Sequence, residues 1–510
     1  MSNNLRGHLL AAVFSAGFVA AAAAPACSET LSDAVALAYE TNPTLQAQRA
    51  TQRALDENYV QARSGWRPTL NLQLVATYDQ TRVPRAASSF FVPAGIRESN
   101  TGSVALTFNQ PIWTGGRTSA AVTAAQGDVL QGRENLRRLE GQVMQAVIQA
   151  YEDVRRDQEA LAIRQEDLGV LQKQLEESRA RFDVGEITRT DVAQSEARLA
   201  AAQALLQSSQ AQLAISRSNY AALVGQNPGQ LAPEPSLAYL LPGNVDDAFA
   251  VAEKYSPQLR AQLFAEQASR ARVAGARAER MPRLDLQASG RFLNGPVDPF
   301  TQSLFTRDVT VSGVVTVPLF NGGLTSSRIR QSIERNNADK ITIETQRRAV
   351  LQAITQGWNQ LVAARANIGS NTEQVRAAEI SLEGTRQEQQ VGLRTTLDIL
   401  NADVELRNAQ LSLVVARHDE YVGAASVLVA MGRLEARDLI PTVPQYSAGA
   451  NFRRLRITLG WVPWEEAIAI VDRAIAVPPI PLSHDLPVEK AIPPGLQPPP
   501  APAYVSPPRR

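Results

Sequence analysis

Hydrophobic positions recur every seventh residue over two long stretches of the chain. Val147, Val154, Leu161, Leu168, Leu175 and Phe182 form one run, and after a short break Val192, Leu199, Leu206, Leu213 and Tyr220 form the next. A shift of 207 residues reproduces both runs as Ile354, Leu361, Ile368, Val375 and Leu382, then Ile399, Leu406, Leu413 and Val427. Only Gln389 and Glu420 depart from the pattern. Sustained heptads predict helices packed knobs-into-holes with a left-handed supercoil. The break between each pair of runs is also copied. Val184-Gly185-Glu186-Ile187-Thr188-Arg189-Thr190-Asp191 returns as Val391-Gly392-Leu393-Arg394-Thr395-Thr396-Leu397-Asp398. In each, glycine suits the left-handed end of one helix. Threonine suits the N-cap of the next helix, with an acid at its N3 position. A turn duplicated with its spacing intact marks a tandem repeat.

Upstream of the heptads the period falls to two. Leu70, Leu72, Leu74, Ala76 and Tyr78 alternate with Asn71, Gln73, Thr77 and Asp79, and Val104, Leu106, Phe108 and Ile112 alternate with Ser103, Thr107 and Asn109. Such alternation predicts strands with one apolar face. A loop at 84–99 makes the two runs a hairpin. The second repeat supplies Leu284, Leu286, Ala288 and Phe292, then Val309, Val311, Val315 and Val317, joined by a loop at 294–305. Short helices precede each hairpin and break at Asn42-Pro43 and Ser256-Pro257, where proline opens the following helix. Each hairpin ends in Pro-x-x-x-Gly-Gly, at Pro111 to Gly116 and Pro318 to Gly323. No phosphate-binding pattern surrounds these glycines, so they predict sharp strand-to-helix exits. The helices that follow, Arg117 to Phe182 and Leu324 to Gln389, reach about 100 Å at 1.5 Å per residue.

This pattern divides the chain into a signal peptide (1–26), a first repeat (27–230) and a second repeat (231–440). The first repeat has a β-hairpin at about 69–112 and a helical hairpin at 117–224. In the second they lie at about 283–319 and 324–432. Of 30 prolines, half lie beyond Ile440, so 441–510 reads as a largely disordered tail. Within it Trp461 to Val477 suggests one amphipathic helix with Trp464, Ile468, Val471 and Ile475 on its face.

Composition narrows the function. A net charge of +1 gives no pull toward nucleic acid. His418 and His484 lack partners at metal-ligand or triad spacing, and nothing calls for a cofactor. Arg6 and His8, the apolar stretch Leu9 to Ala24 and the small residues Ala24-Pro25-Ala26 form a secretory signal. The single cysteine, Cys27, stands where a lipid would be attached, although Ala24-Pro25-Ala26 lacks the leucine of a lipoprotein signal. No later stretch is long and apolar enough for a transmembrane helix. Four strands of ten or more residues suit an outer-membrane barrel instead, but four cannot close one, and open edges are not tolerated in lipid. Several chains must therefore share the barrel.

The repeated Val-Gly-x-x-Thr-x-x-Asp turns, the Asn-Pro and Ser-Pro breaks and the Pro-x-x-x-Gly-Gly junctions resemble the TolC family of outer-membrane efflux and secretion proteins, over about residues 30–432. The resemblance implies a mainly α fold with a β-barrel part. Three chains would form a 12-stranded outer-membrane barrel continuous with a 12-helix periplasmic α-barrel. It implies a passive exit duct of a Gram-negative cell, for type I protein secretion or drug efflux and not an enzyme. Its partners would be a periplasmic adaptor (membrane fusion protein) and an inner-membrane ABC or RND transporter. Gly185, Thr188, Gly392 and Thr395 would face the adaptor at the tip. Arg394 resembles a gate arginine that bonds near Thr190 and Asp191. Asp398 resembles a member of a carboxylate ring at the constriction, in which three copies raise each other's pKa. The family's second ring acid falls at Asn401 here and its tyrosine link at Gln389, which implies a weaker ring with one latch fewer. Asp191 and Asp398 equally suit plain helix-cap acids. A periplasmic adaptor or coiled-coil scaffold is the alternative; it would carry one helical hairpin and no lipid-length strands.

Overall fold

The computed structural model describes residues 28–85, 94–294, 305–441, 443–455, 460–474 and 476. The expectations for the signal peptide, Cys27, His484, Ile475 and the last part of the tail lie outside them. Among the described residues no helix is long and apolar enough to cross a membrane.

Each repeat opens with two short helices, α1 (Leu31–Thr41) and α2 (Pro43–Arg63) in the first, α5 (Val245–Tyr255) and α6 (Pro257–Ala278) in the second. Asn42 caps α2 through its side-chain oxygen, which accepts from the backbone of Thr44 and Leu45. Strands β1 (Thr69–Val83), β2 (Gly95–Trp113), β3 (Arg283–Asn294) and β4 (Phe305–Thr316) follow their helices. Because β2 begins at Gly95, the first loop is shorter than the alternation suggested, and because β4 stops at Thr316, the second hairpin closes three residues early. The long helices are α3 (Arg117–Asp183) and α7 (Leu324–Gln390), each of 67 residues. Their return helices are α4 (Arg189–Val224) and α8 (Thr396–Met431).

The four strands form one antiparallel sheet in sequence order. Leu70, Leu72 and Leu74 pair with Phe108, Leu106 and Val104, and Val104 and Phe108 pair with Phe292 and Ala288. Strand alternation thus gathers the apolar residues on one face of the sheet. That face is exposed, and among the described residues no strand pairs with the outer edges of β1 and β4.

Beneath the sheet, α3 runs beside α6 and α2, and α7 beside α6. The return helices end where the short helices begin. Asn42 Nδ2 donates to the Leu223 carbonyl at 3.0 Å. Gly432, at φ +72°, lies so close to Tyr255 and Pro257 that a Cβ would come within 2.6 Å of the Tyr255 carbonyl. The pieces α4–α2 and α8–α6 therefore stack end to end and match the full length of α3 and α7. The heptad residues Val147, Val154, Ile354, Leu361, Leu213, Tyr220 and Val427 are buried. The densest core lies at mid-height, where α1, α3, α4 and α8 meet α9 (Ala436–Leu439).

Among the described residues of the tail two segments form helices, and the second lies within the stretch expected to be helical. Helix α10 (Ala448–Arg454) lies on α2, with Phe452 against Tyr59 at 4.7 Å between ring centroids. Helix α11 (Glu465–Ala474) docks where strands meet rods. It buries Glu465, Ile468, Ala469 and Asp472. Of the residues expected to share one face, Ile468 is buried while Trp464 and Val471 are exposed. The reason is electrostatic: the groove it occupies offers cations and free backbone N–H groups. Glu465 accepts from Arg63 Nε at 2.7 Å and Arg67 Nε at 2.9 Å. Asp472 accepts from the backbone of Thr114 (2.9 Å), Gly116 (3.1 Å) and Ser119 (3.2 Å), from Thr114 Oγ1 (2.8 Å) and from Trp66 Nε1 (3.2 Å). It sits at the positive N-terminus of α3, where a carboxylate is stabilised.

Candidate functional site

Both helical hairpins turn at the end of the rods farthest from the sheet. Gly185 and Gly392 take φ of +81° and +79°, a region open to glycine. Glu186 N donates to the Arg181 carbonyl and Leu393 N to the Glu388 carbonyl, both at 2.9 Å, which closes the end of α3 and of α7. Thr188 then starts α4 in a capping box: its backbone N–H reaches Asp191 Oδ2 at 2.9 Å and its hydroxyl does so at 2.8 Å. Thr395 and Asp398 repeat this with the same two distances. The carboxylates of Asp191 and Asp398 are therefore helix caps. Val184, Val391 and Leu393 project from the turns as exposed apolar side chains.

The cap governs how Asp398 titrates. Hydrogen bonds from the Thr395 backbone and hydroxyl, with Arg394 nearby, hold its carboxyl below the usual value. The upward shift expected of a carboxylate ring is not a property of the single chain, which holds one Asp398.

Arg394 does not meet Thr190 or Asp191 within the chain. Its Nε bonds Glu388 Oε2 at 2.7 Å, across the base of its own turn. Six residues separate the pair and the turn folds one onto the other, so this is the carboxylate nearest to hand. Asn401, one helical turn above Asp398, accepts from Arg198 Nη2 at 3.1 Å and so joins α8 to α4.

Two further links join the repeats along α3 and α8. Near the tip, Arg407 reaches Glu166 at 3.3 Å and Asp403 at 3.6 Å. Burial pushes the Asp403 carboxyl up, with Arg407 opposing. At mid-height His418 lies between Asp153 on α3 and Asp419 on its own helix. Neither link was legible from spacing. His418 looked unpartnered because Asp153 is 265 residues away, and only a heptad-by-heptad alignment of α3 against α8 would bring them together.

The family model for outer membrane efflux proteins matches residues 34–226 and 250–433, one segment per repeat. BepC, an outer membrane efflux protein of Brucella suis, is 35% identical over 431 residues, which covers 84% of this chain and 91% of BepC. AprF, an alkaline protease secretion protein of Pseudomonas aeruginosa, is 27% identical over 331 residues, 63% of this chain and 68% of AprF. The CmeC outer membrane channel of Campylobacter jejuni superposes with a TM-score of 0.71 over 83% of this chain and 89% of its own, at 14% identity, a likeness of fold. Two tandem hairpins on a lipid-length sheet, the matched segments and the extent of these similarities leave no place for the single-hairpin adaptor reading: the chain belongs to the outer membrane efflux protein family.

Proposed function

We propose that three copies of this chain close into one duct, the outer-membrane exit of an export system, gated at the helical tips. The observation that carries this reading is the sheet. Its apolar face is exposed, its strands have lipid-spanning length and among the described residues both its edges are unpaired, an arrangement stable in lipid only when edges pair. Three sheets of four make twelve strands, wide enough to leave a lumen. The duct is passive and performs no chemistry. Its energy comes from an inner-membrane ABC or RND transporter, reached through a periplasmic adaptor that docks on the apolar tip residues Val184, Val391 and Leu393. AprF is named for protease secretion and BepC for efflux. Both cargo classes, exported proteins and small toxic molecules, fit a duct of this kind.

The repeat predicts how the chains join. Asn109 on β2 pairs with Gln287 on β3. Carried through the duplication, β4 of one chain meets β1 of the next with Thr316 opposite Gln73. Both side chains lie on the polar face, as Asn109 and Gln287 do. In a Cys27→Ser background, the pair Gln73→Cys and Thr316→Cys is expected to give disulfide-linked dimers and trimers in outer-membrane fractions. A crosslink confined to single chains, or a protein recovered as a soluble monomer, contradicts the shared barrel.

A further inference from the structure

Helix α11 buries two carboxylates and turns a largely apolar arc outward. Its protein-facing side holds Glu465 and Asp472, both 0% exposed, with Ile468 and Ala469 between them. The opposite arc holds Trp464, Ala467, Ile470, Val471 and Ala474, all exposed, with exposed Glu466 and Arg473 along one flank. Trp464 is 48% exposed, Ile470 61% and Val471 45%, and Trp461, just before the helix, is 43% exposed. A surface helix bathed in water shows the reverse arrangement.

Its position says what covers that arc. Trp464 Nε1 donates to Gln110 Oε1 at 3.1 Å. Gln110 continues the row of Val104, Leu106 and Phe108 along β2, because side chains two apart share a face. That row is the apolar face, the one an outer-membrane barrel turns to lipid. The helix thus extends the lipid-facing surface at its rod-side end, where hydrocarbon gives way to headgroups. Tryptophans concentrate at this depth, since the indole is apolar yet carries one N–H. Along the same tail, α10 exposes Arg453 and Arg454, which suit anionic headgroups.

We propose that α11 and the turn at Trp461 form an interfacial anchor, with Trp461, Trp464, Ile470 and Val471 seated in the phospholipid leaflet on the rod side of the outer membrane. A ten-residue helix is too short to hold its shape alone. Glu465 and Asp472 fasten it to Arg63, Arg67 and the start of α3, so the apolar arc is presented already folded. The anchor fixes the height of the barrel in the membrane through a segment beyond both repeats.

The test uses full-length protein in vesicles of phosphatidylethanolamine and phosphatidylglycerol, some carrying bromine near the headgroup end of the acyl chains. Shallow bromine is expected to quench part of the tryptophan emission. The double variant Trp461→Phe/Trp464→Phe is expected to lose most of that quenching while keeping heat-modifiable migration, the sign of an intact barrel. Equal fractional quenching in wild type and variant overturns the proposal. A photo-crosslinker at position 471 gives a second reading: adducts to lipid support the anchor, and adducts to a neighbouring subunit show that a second copy covers the arc and overturn it.

Discussion

His418 Nε2 on α8 stands 3.0 Å from Asp153 Oδ1 on α3, while its Nδ1 stands 2.9 Å from Asp419 Oδ1. A neutral imidazole has one N–H, so carboxylate acceptors on both nitrogens favour the imidazolium. Burial opposes the charge, but the bonds to Asp153 and Asp419 outweigh it and raise the pKa above 6.5. One helical position before Asp153, burial pushes the Glu152 carboxyl up to about 7, against the pull of Arg155 and His418. Both shifts act in the same direction on stability. A raised histidine contributes fully below its unfolded value and is lost as pH climbs through its folded value. A raised carboxyl binds its proton more tightly when folded, so stability falls with rising pH from its unfolded value to its folded one. The melting temperature of the assembled protein is therefore expected to fall as pH rises from about 5 to about 8. Glu152→Gln should flatten the lower part of that slope and His418→Gln the upper part, as read by circular dichroism melts. A melting temperature that rises over this range contradicts the assignment.

Asp472 gathers five donors on one buried carboxylate at the junction of β2 and α3. Its replacement by alanine strands the backbone N–H groups of Thr114, Gly116 and Ser119 together with the Trp66 indole. With about 1–3 kcal/mol for each donor left unsatisfied and water replacing part of the loss, Asp472→Ala is expected to cost about 3–5 kcal/mol. Unfolding should begin at the junction, so limited proteolysis is expected to release the tail from Asp472→Ala before it cuts the rods. Wild-type resistance in the variant would show that the carboxylate contributes little.

Much of the fold was legible because duplication tests itself. The pairs Thr188–Asp191 and Thr395–Asp398 could be read as caps from spacing alone, and the heptads gave the rods their faces. What stayed hidden depends on distant partners or on the solvent. Glu465 meets Arg63 across 402 residues. The helix at α11 was legible from its spacing, but the charged contacts that dock it were not. Which side of α11 turns inward is set by Glu465 and Asp472, whose partners lie far away in the sequence, and not by the apolar stripe. At the tip, Arg394 resembled a latch to Thr190 and Asp191, but within one chain it meets Glu388 first.

That pairing separates two roles for Arg394. Arg394 and Glu388 are both about half exposed, so water and salt screen the pair and it adds little to stability. If the guanidinium only steadies its own turn, Arg394→Ala and Glu388→Ala should behave alike. A gate role demands a difference: Arg394→Ala is expected to raise single-channel conductance in planar bilayers, while Glu388→Ala leaves it near the wild-type level by freeing the arginine for a neighbour. Equal conductance in both variants and wild type would remove Arg394 from the gate.

The charge at the constriction gives the last test. Asp398 is expected to line it, and Asn401 lies one turn above on the same helix, bonded to Arg198. Trivalent cations should block the duct by binding a ring of three Asp398 carboxylates, so Asp398→Asn is expected to weaken block several-fold in planar bilayers at low salt, where charge is least screened. Asn401→Asp adds three carboxylates, but each meets the Arg198 guanidinium, so block should strengthen only modestly. Asn401→Asp combined with Arg198→Gln frees the new charge and should give the larger gain. Acidification distinguishes a cap from a ring. The Thr395 cap holds the Asp398 carboxyl low, which keeps it charged as pH falls until that lowered value is reached, so block stays constant in mild acid. Mutual repulsion among three carboxylates would raise the value instead, and block would fade at higher pH. Fading of block between about pH 6 and 5 would therefore show that ring repulsion outweighs the cap in the assembled duct.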